Sequence, residues 1–170
     1  MDAVVRIILG NACSLLAMVT DSVSSTRKTA KGVLWVQNLS QVSYFASAMF
    51  LKGYSSAVQN VVSLVRNLAA IRKIESKAVE WSLVLVGVTM GLWFNNLGLI
   101  GYLPVLANLQ YTLAVFRFRD NERALKIAFA LCVLMFAVFN AAILNFVGVG
   151  SNLVVLATTL VNLFKKKTAE

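Results

Sequence analysis

Apolar stretches long enough to cross a lipid bilayer recur along this chain, separated by breaks of only a few residues. About 20 apolar residues in a helix cross the ~30 Å of hydrocarbon in a membrane. Inside lipid every backbone N–H and C=O must find its partner within the chain, so helices and closed barrels are the available solutions. The apolar segments here are continuous rather than alternating, which selects helices. Of the 170 residues 59% are hydrophobic and 14% charged, against about 25% charged in an ordinary soluble domain. An all-α membrane protein with seven transmembrane helices is expected, with spans at residues 3–20, 32–51, 54–72, 79–95, 97–116, 124–144 and 148–164.

The breaks carry the orientation. Lys and Arg concentrate on the cytoplasmic side of membrane proteins. Arg27, Lys28 and Lys31 follow span one; Arg72, Lys73 and Lys77 follow span three; Arg117, Arg119, Arg123 and Lys126 follow span five; Lys165, Lys166 and Lys167 follow span seven. Those are 13 of the 16 basic residues, whereas the opposite side holds only Lys52, and Arg6 and Arg66 lie within spans. The N-terminus is therefore expected outside and the C-terminus in the cytoplasm. The first segment is read as a retained helix rather than a cleaved leader, because Asp2 precedes it and basic residues follow it. Lys52-Gly53-Tyr54 and Asn95-Asn96 are short enough for tight turns, and glycine and asparagine tolerate left-handed backbone.

The net charge of +9 does not point to nucleic acid, because the basic residues flank apolar segments, where lipid head groups account for them. Cys13 and Cys132 fall within apolar segments without CxxC spacing and read as small buried hydrophobes. Histidine is absent, which removes the commonest general base and metal ligand together. The seven acidic residues, Asp2, Asp21, Glu75, Glu80, Asp120, Glu122 and Glu170, fall at span ends or in breaks. No acid–base pair, nucleophile elbow or phosphate loop emerges, so neither an enzyme nor a cofactor is expected.

A shift of the chain on itself by 92 residues pairs Thr20 with Thr112, Arg27 with Arg119, Lys31 with Arg123, Tyr44 with Phe136, Tyr54 with Phe146, Asn60 with Asn152, Leu68 with Leu160 and Lys73 with Lys165. This predicts two parallel three-helix repeats joined by a linker helix: residues 1–73, linker span 74–96, and residues 97–170 with a basic cytoplasmic tail. Ser56-Ala57-Val58-Gln59-Asn60 continuing to Arg66-Asn67-Leu68, and Tyr102-Leu103-Pro104-Val105-Leu106 running to Phe116-Arg117, resemble the YgjV family of bacterial inner-membrane proteins. The 3+1+3 plan resembles the SWEET and PQ-loop transporters. That resemblance implies facilitated passage of a small polar molecule between the repeats. Pro104 is the single proline and no Pro-Gln pair occurs, unlike the several prolines of SWEET-like spans.

Polar residues inside the spans mark the candidate pathway. At ~100° per residue Gln59, Asn60, Ser63, Arg66 and Asn67 fall within one arc of about 120°, too polar to face lipid. Arg66 is the one charge deep in a span, and placing it there costs about 2.5–3.5 kcal/mol even on lenient scales. It either snorkels to the interface, bonds to a neighbouring helix, or meets an anionic or carbonyl-rich solute. Asn152 and Thr159 repeat the Asn60 and Asn67 spacing on span seven. Gln37, Gln41 and Tyr44 form a stripe on span two, and Asn108 lies one turn after Pro104 on span five. Such groups could equally bond helix to helix. Trp35, Trp81 and Trp93 lie near span ends as interfacial anchors. The partners expected are thus the bilayer and a small polar solute, with a homo-oligomer left open. The rival expectation is a non-transporting subunit or lipid-binding scaffold with a dry, tightly packed centre.

Overall fold

The computed structural model describes residues 2–25, 30–72, 74, 76–118 and 121–165. The basic residues Arg27, Lys28, Lys73, Arg119, Lys166 and Lys167, and the acidic Glu75, Asp120 and Glu170, lie outside them. Seven α-helices account for nearly all described residues: α1 (Ala3–Ser25), α2 (Ala30–Phe50), α3 (Tyr54–Ile71), α4 (Lys77–Trp93), α5 (Tyr102–Arg117), α6 (Glu122–Ala142) and α7 (Phe146–Lys165). No strand occurs among the described residues. By length and composition alone, one stretch among them qualifies to cross a membrane, Ala3–Val23; Lys126–Ala142 and Phe146–Val161 are shorter apolar stretches. Helices such as α3 fall short because Gln59, Asn60, Arg66 and Asn67 interrupt their apolar runs.

The interior is built from small side chains. Ala17, Ala48, Ala57, Ala107, Ser14, Ser40, Ser47 and Ser55 are buried, while Ile8, Leu16, Leu85, Leu134 and Leu153 are exposed. A water-soluble fold would bury the larger set. Lipid is as apolar as leucine, so helices associate there through close backbone approach and hydrogen bonds rather than hydrophobic transfer. Ser14 and Ser47 share a hydroxyl hydrogen bond of 2.7 Å, and Thr20 and Ser40 one of 2.8 Å. The falling partner number along α1 makes it antiparallel to α2. Trp35, Trp81 and Trp93 are exposed near helix ends, Trp93 by 84%.

Each helix packs on its chain neighbour, α3 also packs on α5, and α7 returns to α1. The result is a ring, α1-α2-α3-α5-α6-α7, with α4 outside it against α3 and α5. The N-terminal part of α1 and the α2–α3, α4–α5 and α6–α7 connections gather at one end: Asn96 Nδ2 donates to Lys52 O at 2.8 Å, and Asn11 Nδ2 to Leu144 O at 2.9 Å. Among the described residues Leu51, Phe139 and Ile143 form a buried apolar cluster there, against Ile7, Leu97 and Leu103. Arg72, Lys77, Arg117 and Arg123 belong to helix termini at the opposite end.

Two turns at the Lys52 end are built alike. In the first, Lys52 takes φ 59°, Lys52 N donates to Met49 O and Gly53 N to Ala48 O. In the second, Leu144 takes φ 61°, Leu144 N donates to Ala141 O and Asn145 N to Asn140 O. Both are helix-ending motifs that satisfy carbonyls left over by the last turn. Every corresponding position differs by 92, and so do the limits of α2 and α6 and the first residues of α3 and α7. Gly53 does not supply the left-handed residue that its sequence suggests. Lys52 does, and Gly53 is needed for room, since a Cβ there would lie 3.0 Å from the Phe139 ring.

The fifth helix starts later than expected. Asn95 Oδ1 accepts from Leu97 N at 3.0 Å, Asn95 Nδ2 donates to Gly98 O at 2.8 Å, and a 3-10 turn, Gly98–Gly101, leads into α5. Pro104 thus occupies the first turn of α5, where its missing N–H has no intrahelical partner to lose and no kink follows.

Helix α4 docks through what it lacks. Gln59 Nε2 donates to Gly87 O at 2.8 Å. A Cβ on Gly91 would come within 2.5 Å of Gln59 Nε2 and 2.7 Å of Val105 Cγ2. Replacing Gly91 with Leu should therefore lower the thermal unfolding midpoint of the detergent-purified protein, at a cost of about 1–3 kcal/mol for overpacking. Gly150→Ala, with open space around the new methyl, should leave the midpoint unchanged or slightly higher.

Candidate functional site

The six ring helices enclose a cavity of about 570 Å³, partly open to the exterior, to which α4 contributes no side chain. Native interiors seldom leave voids much larger than a water molecule, and pockets of about 300–1,000 Å³ hold small molecules. The wall is mixed, with amides and hydroxyls from α2, α3 and α7 facing aromatic and aliphatic groups from α6.

The wall repeats with the 92-residue register. Gln41 and Val133, Tyr44 and Phe136, Ala48 and Asn140, Gln59 and Ser151, Asn60 and Asn152, and Ser63 and Val155 all line the cavity as pairs. Its charged groups break the pattern. Asp21 and Arg66 line the cavity, but the register sets them opposite Leu113 and Thr158.

Arg66 does not snorkel. Its Nη1 donates to Asn108 Oδ1 at 3.4 Å across the α3–α5 junction. Asn108 Nδ2 in turn donates to Gln59 Oε1 at 2.7 Å, and Gln59 donates to the Gly87 carbonyl of α4. The relay uses each amide as acceptor on one side and donor on the other, so its direction is fixed from the guanidinium outward. Arg66 has five N–H donors, and among the described residues the hydrogen bond to Asn108 engages one of them. Tyr111 and Cys132 stand close enough to interact with it electrostatically.

The second charged group is Asp21. The sequence assigns it to a span end, yet α1 continues as helix to Ser25, which brings the carboxylate to the cavity wall. Ser40 and Tyr44 lie within hydrogen-bonding reach of it, and Ser151 of α7 reaches the same Tyr44 hydroxyl. A signal was present in the sequence: Gly10, Ser14, Ala17 and Asp21, spaced four, three and four, continue the small-residue face of α1.

Of the expected pathway residues, Asn60, Ser63, Arg66, Asn152, Gln41, Tyr44 and Asn108 are brought together around the cavity. Asn67, Gln37 and Thr159 are not in its wall. Asn67 is buried, Gln37 lies one turn from Gln41, and Thr159 bonds its own helix at Val155 O, 2.8 Å. All three sit toward the basic end, beyond the last lining residue of their helices. Tyr111, Cys132 and Asn145 join the wall without having been singled out as pathway residues. Among the described residues no group of three His, Cys, Asp or Glu side chains could hold a metal ion.

Neither a curated protein nor a solved structure matches the chain significantly. A protein-family profile described as a bacterial inner membrane protein, Imp-YgjV, matches residues 8–170. That match covers α1 from Ile8 onward, the other six helices and both charged groups of the cavity, and the chain belongs to the YgjV family of bacterial inner membrane proteins.

Proposed function

We propose that this protein is a carrier or facilitator that passes a small polar or anionic solute through the central cavity. On this reading α1–α3 and α5–α7 act as two parallel repeats joined by α4, a SWEET-like plan. The observation that carries the reading is the paired wall: six positions of one half line the cavity together with their counterparts 92 residues on. A pathway enclosed by two equivalent units is how many transporters place a solute near the membrane midplane. Arg66 sits in that wall with donors to spare and offers a contact for carboxylate, phosphate or carbonyl oxygen. The ring closes within one chain, so the pathway needs no second copy. Gln37, Asn67 and Thr159 then belong to the way out toward the basic end.

The rival reading, a non-transporting subunit or lipid-binding scaffold, calls for a dry and filled centre, and the polar cavity weighs against it. We also read the protein as non-enzymatic, since Asp21 and Arg66 are of opposite charge and offer no acid–base pair. The membrane orientation we favour is multi-pass with the N-terminus outside and the C-terminus in the cytoplasm, because Arg72, Lys77, Arg117 and Arg123 share one end and Lys52 marks the other.

Two measurements test this. Purified protein in liposomes, offered a panel of radiolabelled amino acids, hydroxy acids and sugars, should take up at least one. Arg66→Leu should cut that uptake about tenfold or more, as expected for losing a charge-assisted hydrogen bond worth about 1.5–3 kcal/mol. Unchanged uptake by correctly inserted Arg66→Leu protein would remove Arg66 from the pathway. For orientation, a membrane-impermeant thiol reagent applied to intact inner-membrane spheroplasts should label Lys52→Cys but not Arg119→Cys, each in a Cys13→Ser, Cys132→Ser background. The opposite pattern inverts the topology.

A further inference from the structure

The walls of the cavity differ in kind. On α6, Phe129, Cys132, Val133 and Phe136 line it as a single stripe along one helix face. Asn140, one turn beyond Phe136, ends the apolar run. Arg66 meets this stripe near its middle. Cys132 stands close enough to interact with the guanidinium electrostatically, and so does Tyr111, whose ring packs on Phe129 with centroids 5.5 Å apart. Among the described residues Arg66 is the one Lys or Arg in the wall, and no carboxylate pairs with it. Asp21 is engaged with partners of its own at another junction, where Ser40 and Tyr44 lie within its reach.

We infer that the solute is a small organic monocarboxylate with a compact apolar body, its carboxylate held by Arg66 and its body laid along Val133 and Phe136. The inference rests on the pathway reading above and narrows its solute class. A partly buried guanidinium without an anionic partner is a costly group. An arriving carboxylate cancels that charge and takes the spare donors in pairs. One cation calls for one negative charge, since a dianion such as phosphate keeps part of its charge uncompensated in a space shielded from water. The body follows from the stripe. From Cys132, beside the guanidinium, to Phe136 is four residues, about 6 Å along the helix. That length suits one aromatic ring or a short branched chain. A longer chain would cover the Asn140 amide, a polar group it cannot hydrogen-bond, so a fatty acid is disfavoured. The amides and hydroxyls of α2, α3 and α7 are left to hydrate the remaining carboxylate lone pairs. Asn108 fixes the guanidinium from behind, so it need not reorganise when the solute arrives.

The test uses full-length protein purified in detergent and reads the thermal unfolding midpoint, since a ligand that binds only the folded state raises it. The probes are benzoate and isovalerate, each beside its uncharged amide, with acetate and inorganic phosphate as anions that lack the body. Benzoate or isovalerate should raise the midpoint by about 2 °C or more. Its amide, acetate and phosphate should each raise it by less than half as much. Arg66→Gln should abolish the shift, and Phe136→Asn should reduce it. An amide that matches its acid overturns the part given to Arg66, and acetate or phosphate matching the acids overturns the apolar subsite. No shift from either acid overturns the whole assignment. In each of these cases, uptake of any amino acid, hydroxy acid or sugar into liposomes leaves the pathway reading standing. If in addition no labelled solute enters liposomes, benzoate and isovalerate included, the pathway reading falls as well. The comparison of probes on the unaltered protein needs no variant to fold.

Discussion

Helices in a bilayer gain nothing by turning leucine toward one another, and the construction of this protein follows from that. Cohesion has to come from close approach and from hydrogen bonds, which is why Ala17, Ala48, Ala107, Ser14 and Ser47 occupy the contacts. The hydroxyl pairs between α1 and α2 replace the large side chains that would zip the same helices in water. Among the described residues the bulkiest buried apolar side chains gather in the Leu51, Phe139 and Ile143 cluster beneath the turns. Above it the small residues cannot fill the centre, and a polar cavity results.

Much of this architecture was legible in the sequence. The short breaks located the turns, and the limits of α2 and α6 and the first residues of α3 and α7 follow the 92-residue register. Hydropathy was less faithful at boundaries governed by side-chain caps. The start of α5 was displaced because Asn95 organises the chain up to Gly98 through its own amide, a local effect invisible to an apolar average. Lys52 in a left-handed conformation escaped notice for a similar reason: the turn reserves the glycine for the position that touches Phe139.

The face of α3 that turns toward the cavity follows from the sequence, whereas the depth at which the cavity ends does not. A helical wheel told which face of α3 turns inward but carried no information on where the cavity stops along the axis. Gln37, Asn67 and Thr159 were therefore grouped with residues that do reach it. Asp21 was lost in the opposite way. A polar run at Thr20-Asp21-Ser22 looks like the end of a span, yet Thr20 returns its hydroxyl to Leu16 and Ala17 carbonyls and helix α1 continues. The consequence is that the cavity wall carries two charged groups of opposite sign rather than one.

The glycines of α4 bear on how such a chain can change over time. Helix α4 is bound to the ring through a backbone carbonyl and two missing side chains, while Trp81, Leu85, Val86 and Trp93 meet the surroundings. Its outward surface can drift among apolar residues with little penalty. Its inward surface cannot accept even a modest addition at Gly91 without moving Gln59, and through Gln59 the amide that steadies Arg66. Substitution in α4 is thus nearly neutral on one side and transmitted to the guanidinium on the other, although α4 itself never enters the cavity.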